Sequence, residues 1–228
     1  MVMRPSVLQN ALASDYSIAV KLPDRQQCMG ILREHQVPEH IIEHCTRVAQ
    51  VGVFLASSLN RSGGNLRLDL IETAGLLHDI TKVASIHSRE DHAVTGCNLL
   101  ISLGFHSVAR VVRQHVRLDR NTVFGSAISE AMVVNYADKR VNHSTIVTLS
   151  DRFDYLMERY GTTEERRIRL KEYYREIRLI ECMIFSDLPM EPVEINRLNA
   201  VDPEDANEMS GKSAVAHDGI DKRNCHVP

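Results

Sequence analysis

Residues 70–82 read Leu70-Ile71-Glu72-Thr73-Ala74-Gly75-Leu76-Leu77-His78-Asp79-Ile80-Thr81-Lys82. Leu70, Ile71, Ala74 and Leu77 recur at helical spacing. His78 continues the stripe of Ile71, Ala74 and Gly75, and Asp79 lies one turn beyond Gly75. Both polar side chains therefore emerge beside a face that should be buried. An isolated carboxylate is costly to bury, so such a group is normally paired or bound to a metal. The rest of the chain can be searched for that partner.

On the N-terminal side, Asp24 is a candidate cap for a helix to about His35, with Cys28, Ile31 and Leu32 on one face. Pro38 suits a first helical position. From there a long helix is predicted to about Leu59, with the stripe Ile41, Cys45, Val48, Gly52, Leu55 and Leu59. His44 flanks that stripe. Residues 60–65 have loop composition, and Asp69 lies near the start of the helix that ends in His78 and Asp79.

On the C-terminal side, residues 81–90 are polar and irregular. Asp91 is a candidate cap for a helix with Val94, Cys97, Leu100 and Ile101 on one stripe and Gly104 at its end. His92 falls in its first turn. His106 or Ser107 opens the next helix, on which Val108, Val111, Val112 and His115 share a stripe. Ser126 is a candidate cap for a helix with Ala127, Ala131, Val134, Asp138 and Val141, so a second carboxylate interrupts an apolar face. Asp151 begins another helix, and Thr163 opens a long charged one to about Phe185. No period-2 run reads as a strand. The expected fold is all-α, one domain over residues 23–189 with about seven helices. Residues 1–22 form a loose lead-in. Residues 190–228 are polar and unpatterned, and are expected to be disordered or loosely attached.

With 228 residues the chain can bury a sizeable core. A net charge of -3 argues against a large nucleic-acid footprint. The five cysteines are odd in number and never spaced C-x-x-C, which favours a reducing compartment. No run approaches the length of a transmembrane helix, and no signal-peptide core opens the chain. A cytoplasmic protein without membrane contact is expected; the sequence does not specify its oligomeric state.

A single histidine beside a core stripe is ordinarily a satisfied core residue. Here His44, His78, Asp79, His92, His115 and Asp138 come from five separate helices. Four imidazoles and two carboxylates form a suitable ligand set for first-row transition metals.

The order His44, His78-Asp79, Asp138 resembles the H…HD…D signature of the HD-domain metal-dependent phosphohydrolases. His78-Asp79-Ile80-Thr81-Lys82 is close to the HDIGK variant, with Thr81 where that variant has glycine. The segments from His92 to Leu99 and from Val108 to His115, and the run Tyr136-Ala137-Asp138-Lys139, resemble later segments of that family. The resemblance covers about residues 35–160 and implies an all-helical fold. It implies one divalent metal held by His44, His78, Asp79 and Asp138. It further implies a second ion on His92 and His115, bridged by Asp79; His87 is a weaker rival to His92. Iron or manganese is the expected metal, with magnesium, cobalt or nickel as alternatives.

The implied chemistry is hydrolysis of a phosphate ester or anhydride, on a small phosphorylated substrate such as a nucleotide, by water that the metal activates. Lys82 is the chief candidate to meet the phosphate, with Arg117 and Arg140 as further candidates. Two alternatives share the ligand pattern or the fold: a di-iron oxygenase of the HD group, and a non-catalytic HD signalling module.

Overall fold

In the computed structural model, which describes residues 21–119 and 127–202, helices start and stop where the side chains supply caps. Asp24 caps α1 (Arg25–Glu34): its carboxylate accepts from the Gln27 N–H, and the Gln27 side chain accepts from the Asp24 N–H. This reciprocal box satisfies two amide donors that a helix start otherwise leaves open. After Pro38, α2 (Glu39–Arg61) runs for 23 residues. α3 (Leu68–Leu77) ends at His78, and α4 (Lys82–Ser88) follows within one turn. Asp91 caps α5 (His92–Ser102) through the Ala93 N–H. Gly104, at φ 82°, then turns the chain through a conformation that a side chain would strain. α6 (His106–Val112) completes this half.

α7 (Glu130–Lys139) is capped by Ser129; the expected cap, Ser126, lies outside the described residues. Thr148 caps α8 (Leu149–Tyr160), and Asp151 is the returning partner of that box rather than the first helical residue. Thr163 caps α9 (Glu164–Phe185), and a 3-10 segment (Pro192–Ala200) follows. The only strands among the described residues are an antiparallel hairpin of Val141–Asn142 with Thr145–Ile146.

The fold is all-α, as expected. Among the described residues it has nine α-helices rather than about seven. α4 forms within the stretch expected to be irregular. No helix of the described residues is long and apolar enough to cross a membrane.

α2 and α3 pack most closely at Gly75. A Cβ there would lie 2.7 Å from the Ala49 Cα, so only glycine allows the approach. α7 closes on the same core through Val133, Tyr136 and Ala137. Each fully buried Leu or Ile of this core contributes roughly 1.5–3 kcal/mol by leaving water. The close packing brings one end of α2, the end of α3 and the end of α7 together.

The expected domain edge at residue 190 is corrected. Ile195 and Leu198 are fully buried in the main core. They lie three residues apart, and on a 3-10 turn such positions share a face. Asn196 and Asn199, also three apart, bond back to Arg140 and to Ile146. Polar composition alone suggested a loose tail because these amides count as hydrophilic until their partners are seen. The lead-in over residues 1–20 and the chain from residue 203 onward lie outside the described residues.

Candidate metal centre

The helix ends deliver six side chains to one buried pocket. His44 comes from α2, and His78 and Asp79 from the end of α3. His92 comes from the first turn of α5, His115 from just after α6, and Asp138 from the last turn of α7. His78 and Asp79 are fully buried, and His44, His115 and Asp138 nearly so. The His92 side chain keeps 27% of its surface exposed.

Asp79 stands at the middle. Its Oδ2 lies 3.4 Å from His78 Nε2 and 3.8 Å from His44 Nε2. Its Oδ1 lies 3.3 Å from His92 Nε2 and 3.6 Å from His115 Nε2. One carboxylate thus faces two pairs of imidazoles. Asp138 Oδ1 adds to the first pair, 3.1 Å from His44 Nε2 and 3.7 Å from His78 Nε2. His92 and His115 approach each other at 3.0 Å between their Nε2 atoms.

Backbone carbonyls hold three of the rings by Nδ1. His78 bonds to Gly75 O at 2.8 Å, His115 to Val112 O at 2.7 Å, and His44 to His143 O at 2.7 Å. With Nδ1–H donated, Nε2 is the acceptor nitrogen, which is the ligating tautomer.

The pocket fits a divalent cation. His78 Nε2 and Asp79 Oδ1 are buried without a hydrogen-bond partner. At 3.4 Å and beyond, His78 Nε2 lies outside good hydrogen-bonding reach of either carboxylate. Within each of two sets, His44–His78–Asp79 and Asp79–His92–His115, the ligand atoms lie within 4.8 Å of one another. Buried acceptors aimed at one another are satisfied by positive charge between them.

Two lysines already supply such charge. Lys139, buried at the end of α7, pairs with Asp138 Oδ2 and leaves Oδ1 to the imidazoles. Lys82 Nζ lies 2.5 Å from Asp79 Oδ2, with 38% of its side chain exposed. Burial opposes ionisation of Asp138, but Lys139 and the imidazoles of His44 and His78 hold it well below the usual carboxylate range. Burial likewise opposes ionisation of Asp79, which His78, His115 and His92 outweigh. The same balance runs in reverse at Lys82, where Asp79 and Asp138 keep the ammonium above its ordinary value. His78 is raised too, since Asp79 more than offsets its burial.

His115 goes the other way: burial pushes it down to about 4, only partly opposed by Asp79. An unfolded histidine takes up its proton near pH 6.5. Between pH 6.5 and about 4 the unfolded chain binds a proton that the folded one does not, so stability falls as pH drops. The depressed carboxylates lose their contribution only at lower pH, as protonation begins near their ordinary values. Thermal melts in chelator at pH 6.5 and pH 5, below the range in which His78 acts in the opposite sense, should show this loss, and His115→Gln should reduce it. Equal slopes for both proteins would contradict it.

The six expected ligands are therefore brought together, with Lys82 at their edge. Thr81, in the glycine position of the HDIGK variant, bonds to Thr95 and to the His92 carbonyl at the base of α5. His87 is exposed on α4, and His92 is the one of the two that stands beside Asp79. Arg117 is exposed in the loop two residues past His115.

Arg140 is corrected: it does not face the centre. Its guanidinium is fully buried on the far side of α7, bonded to Tyr136 Oη, Val147 O, Pro192 O and Asn196 Oδ1. Its neighbour Lys139 turns to the centre instead. Lys139 stands about 100° and Arg140 about 200° around the helix from Asp138, so Lys139 is the one placed to reach the centre. Lys139 and the His143 carbonyl were not anticipated. Lys139 closes the family-like run Tyr136-Ala137-Asp138-Lys139 but carried no expected role there, and nothing in the sequence marks His143.

Comparison with known proteins agrees with this geometry. The family profile described as HD domain matches residues 41–156. An uncharacterised protein of Methanocaldococcus jannaschii is 33% identical over 92 residues, covering 40% of this chain and 53% of that protein. A tRNA (cytidine(56)-2'-O)-methyltransferase of Picrophilus torridus is 25% identical over 185 aligned residues, covering 74% of this chain and 50% of that protein. The chain spans about half the length of these curated relatives. No solved structure matches it. The match over half the chain, together with the His and Asp cluster in one pocket, shows that this chain belongs to the HD domain family.

Proposed function

We propose that this chain is a cytoplasmic metal-dependent phosphohydrolase that cleaves a phosphate ester or anhydride of a small substrate, a nucleotide by preference. One observation carries the reading: the two oxygens of Asp79 each face a separate pair of imidazoles. That arrangement suits two divalent ions, with iron or manganese favoured by the imidazole-rich set. When bound, such ions polarise a phosphate oxygen and make water acidic enough to attack it.

The chain's own residues supply the remainder. His44, His78, Asp79 and Asp138 would hold one ion, and Asp79, His92 and His115 the other. Lys139 keeps Asp138 ionised with one oxygen free. His92 and Lys82 are the partly exposed members, so the substrate reaches the centre from their side. Lys82 meets the phosphate there, and exposed Arg117 is a second candidate contact. Cys28, Cys45, Cys97 and Cys182 form no disulfide among the described residues, in keeping with a reducing compartment.

The test is metal content after purification without chelator, followed by hydrolysis assays on mononucleotides, dinucleoside polyphosphates and a generic phosphodiester. RNA joins the panel because one relative is a tRNA methyltransferase by name. Lys82→Ala should retain the metal and lose roughly ten- to hundredfold in turnover, from a charge-assisted contact of about 1.5–3 kcal/mol. Turnover unchanged in that variant would remove Lys82 from the substrate site. A metal-loaded wild type that hydrolyses none of the panel but consumes O₂ with a small polyol or phosphonate would overturn the hydrolase reading.

A further inference from the structure

Two of the carbonyl-held imidazoles take their orientation locally, and one does not. His78 and His115 bond to carbonyls three residues upstream in their own chain turn. His44 bonds instead to the carbonyl of His143, 99 residues away, in the turn of the hairpin. His143 holds a left-handed conformation at φ 54°, which a non-glycine residue keeps only when its surroundings impose it.

What imposes it is visible in the neighbouring contacts. Arg47, one turn past His44 on α2, donates to the carbonyls of Ser144, Leu198 and Val201. Asn199 completes the grip by pairing with Ile146 as a strand would. Its Oδ1 accepts from the Ile146 N–H at 2.8 Å, and its Nδ2 donates to the Ile146 carbonyl at 2.8 Å. The hairpin is thus fixed at His143 and Ser144 by His44 and Arg47 of α2, and at Ile146 by Asn199 of the segment spanning residues 192–201, whose Leu198 and Val201 carbonyls also hold Arg47.

We propose that this C-terminal segment braces the metal centre, with Asn199 as a positioning residue for His44. The inference rests on the metal-centre reading above. Its action is selective: it governs the position served by His44 and His78, and leaves the position served by His92 and His115 untouched. Asn199 touches neither ligand nor substrate. It acts through Ile146, the hairpin turn and the His143 carbonyl, and outer partners of this kind set ligand geometry.

The experiment titrates full-length protein with Co(II) alone, read by ligand-field absorption. His44→Ala and His92→Ala assign the bands to the two positions. Asn199→Ala should weaken Co(II) at the His44 position by about 10–100-fold. Binding at the His92 position should stay within about twofold, with an unchanged far-ultraviolet spectrum. Asn196→Ala loosens the same segment at Arg140 but not at the hairpin, and should leave both positions alone. If alanine at 199 costs the fold, Asn199→Asp permits the same comparison, because it keeps the acceptor for the Ile146 N–H and sets a carboxylate oxygen, in place of the donor, against the Ile146 carbonyl.

Selective loss at the His44 position upholds the inference. Unchanged binding at both positions, equal loss at both, or an equal effect of Asn196→Ala overturns it while the metal-centre reading stands. A wild type that takes up no Co(II) overturns the metal-centre reading and this inference with it.

Discussion

Asp79→Asn is expected to empty both halves of the centre and to abolish turnover. Asp79 is the one residue whose two oxygens face all four imidazoles, so its loss removes a ligand from each position at once. Asparagine has the same shape, but it cannot supply the negative charge that two cations require. Metal per chain should fall from about two equivalents to well under one. Turnover should fall by more than the roughly 10–100-fold typical of losing an outer partner of a metal ligand. The fold should survive, because Lys82 loses its partner at an edge where its side chain reaches water.

A stability measurement separates loss of metal from loss of fold. Two sites each at ~100 times their dissociation constant stabilise a protein by about 2.7 kcal/mol each. Chelator should then lower the wild-type melting midpoint by roughly 10 °C or more for a chain of this size. In Asp79→Asn the chelator should change nothing. A variant that keeps both its metal and its turnover would remove this dipeptide from the centre.

Truncation after Pro189 should unfold the protein or nearly so. It removes Ile195 and Leu198 from the core, and losing large buried side chains costs about 2–5 kcal/mol each. It also strips the fully buried Arg140 of Pro192 O and Asn196 Oδ1, and Arg47 of two carbonyl partners. A buried donor left without a partner costs about 1–3 kcal/mol. Even with overlap, the total of roughly 5–10 kcal/mol rivals the whole stability of an ordinary domain. Circular dichroism on heating should show no cooperative transition, or one shifted far down. A midpoint within a few degrees of the full chain would show that the segment does not dock in solution.

The helices and the clustered His and Asp residues were legible in the sequence because both are local signals. Apolar spacing places a residue on one face of its own helix, and caps such as Asp24, Asp91 and Thr163 mark where a helix begins. A histidine or aspartate on such a face is buried wherever the helix packs. His44, His78, Asp79, His115 and Asp138 could therefore be read as polar groups needing partners before any partner was known. The order of those residues in the chain was legible for the same reason.

What only the tertiary structure decided is where long side chains go and which distant groups they meet. Arg140 and Lys139 sit one residue apart, and the sequence does not say which turns to the ligands. The answer depends on Pro192 and Asn196, more than 50 residues further on. Residues 192–200 read as polar tail, yet Asn196 and Asn199 are committed to Arg140 and Ile146. His44 takes its orientation from a carbonyl 99 residues away. A backbone carbonyl has no letter in the sequence, and helical spacing carries no information about an element on the far side of the core.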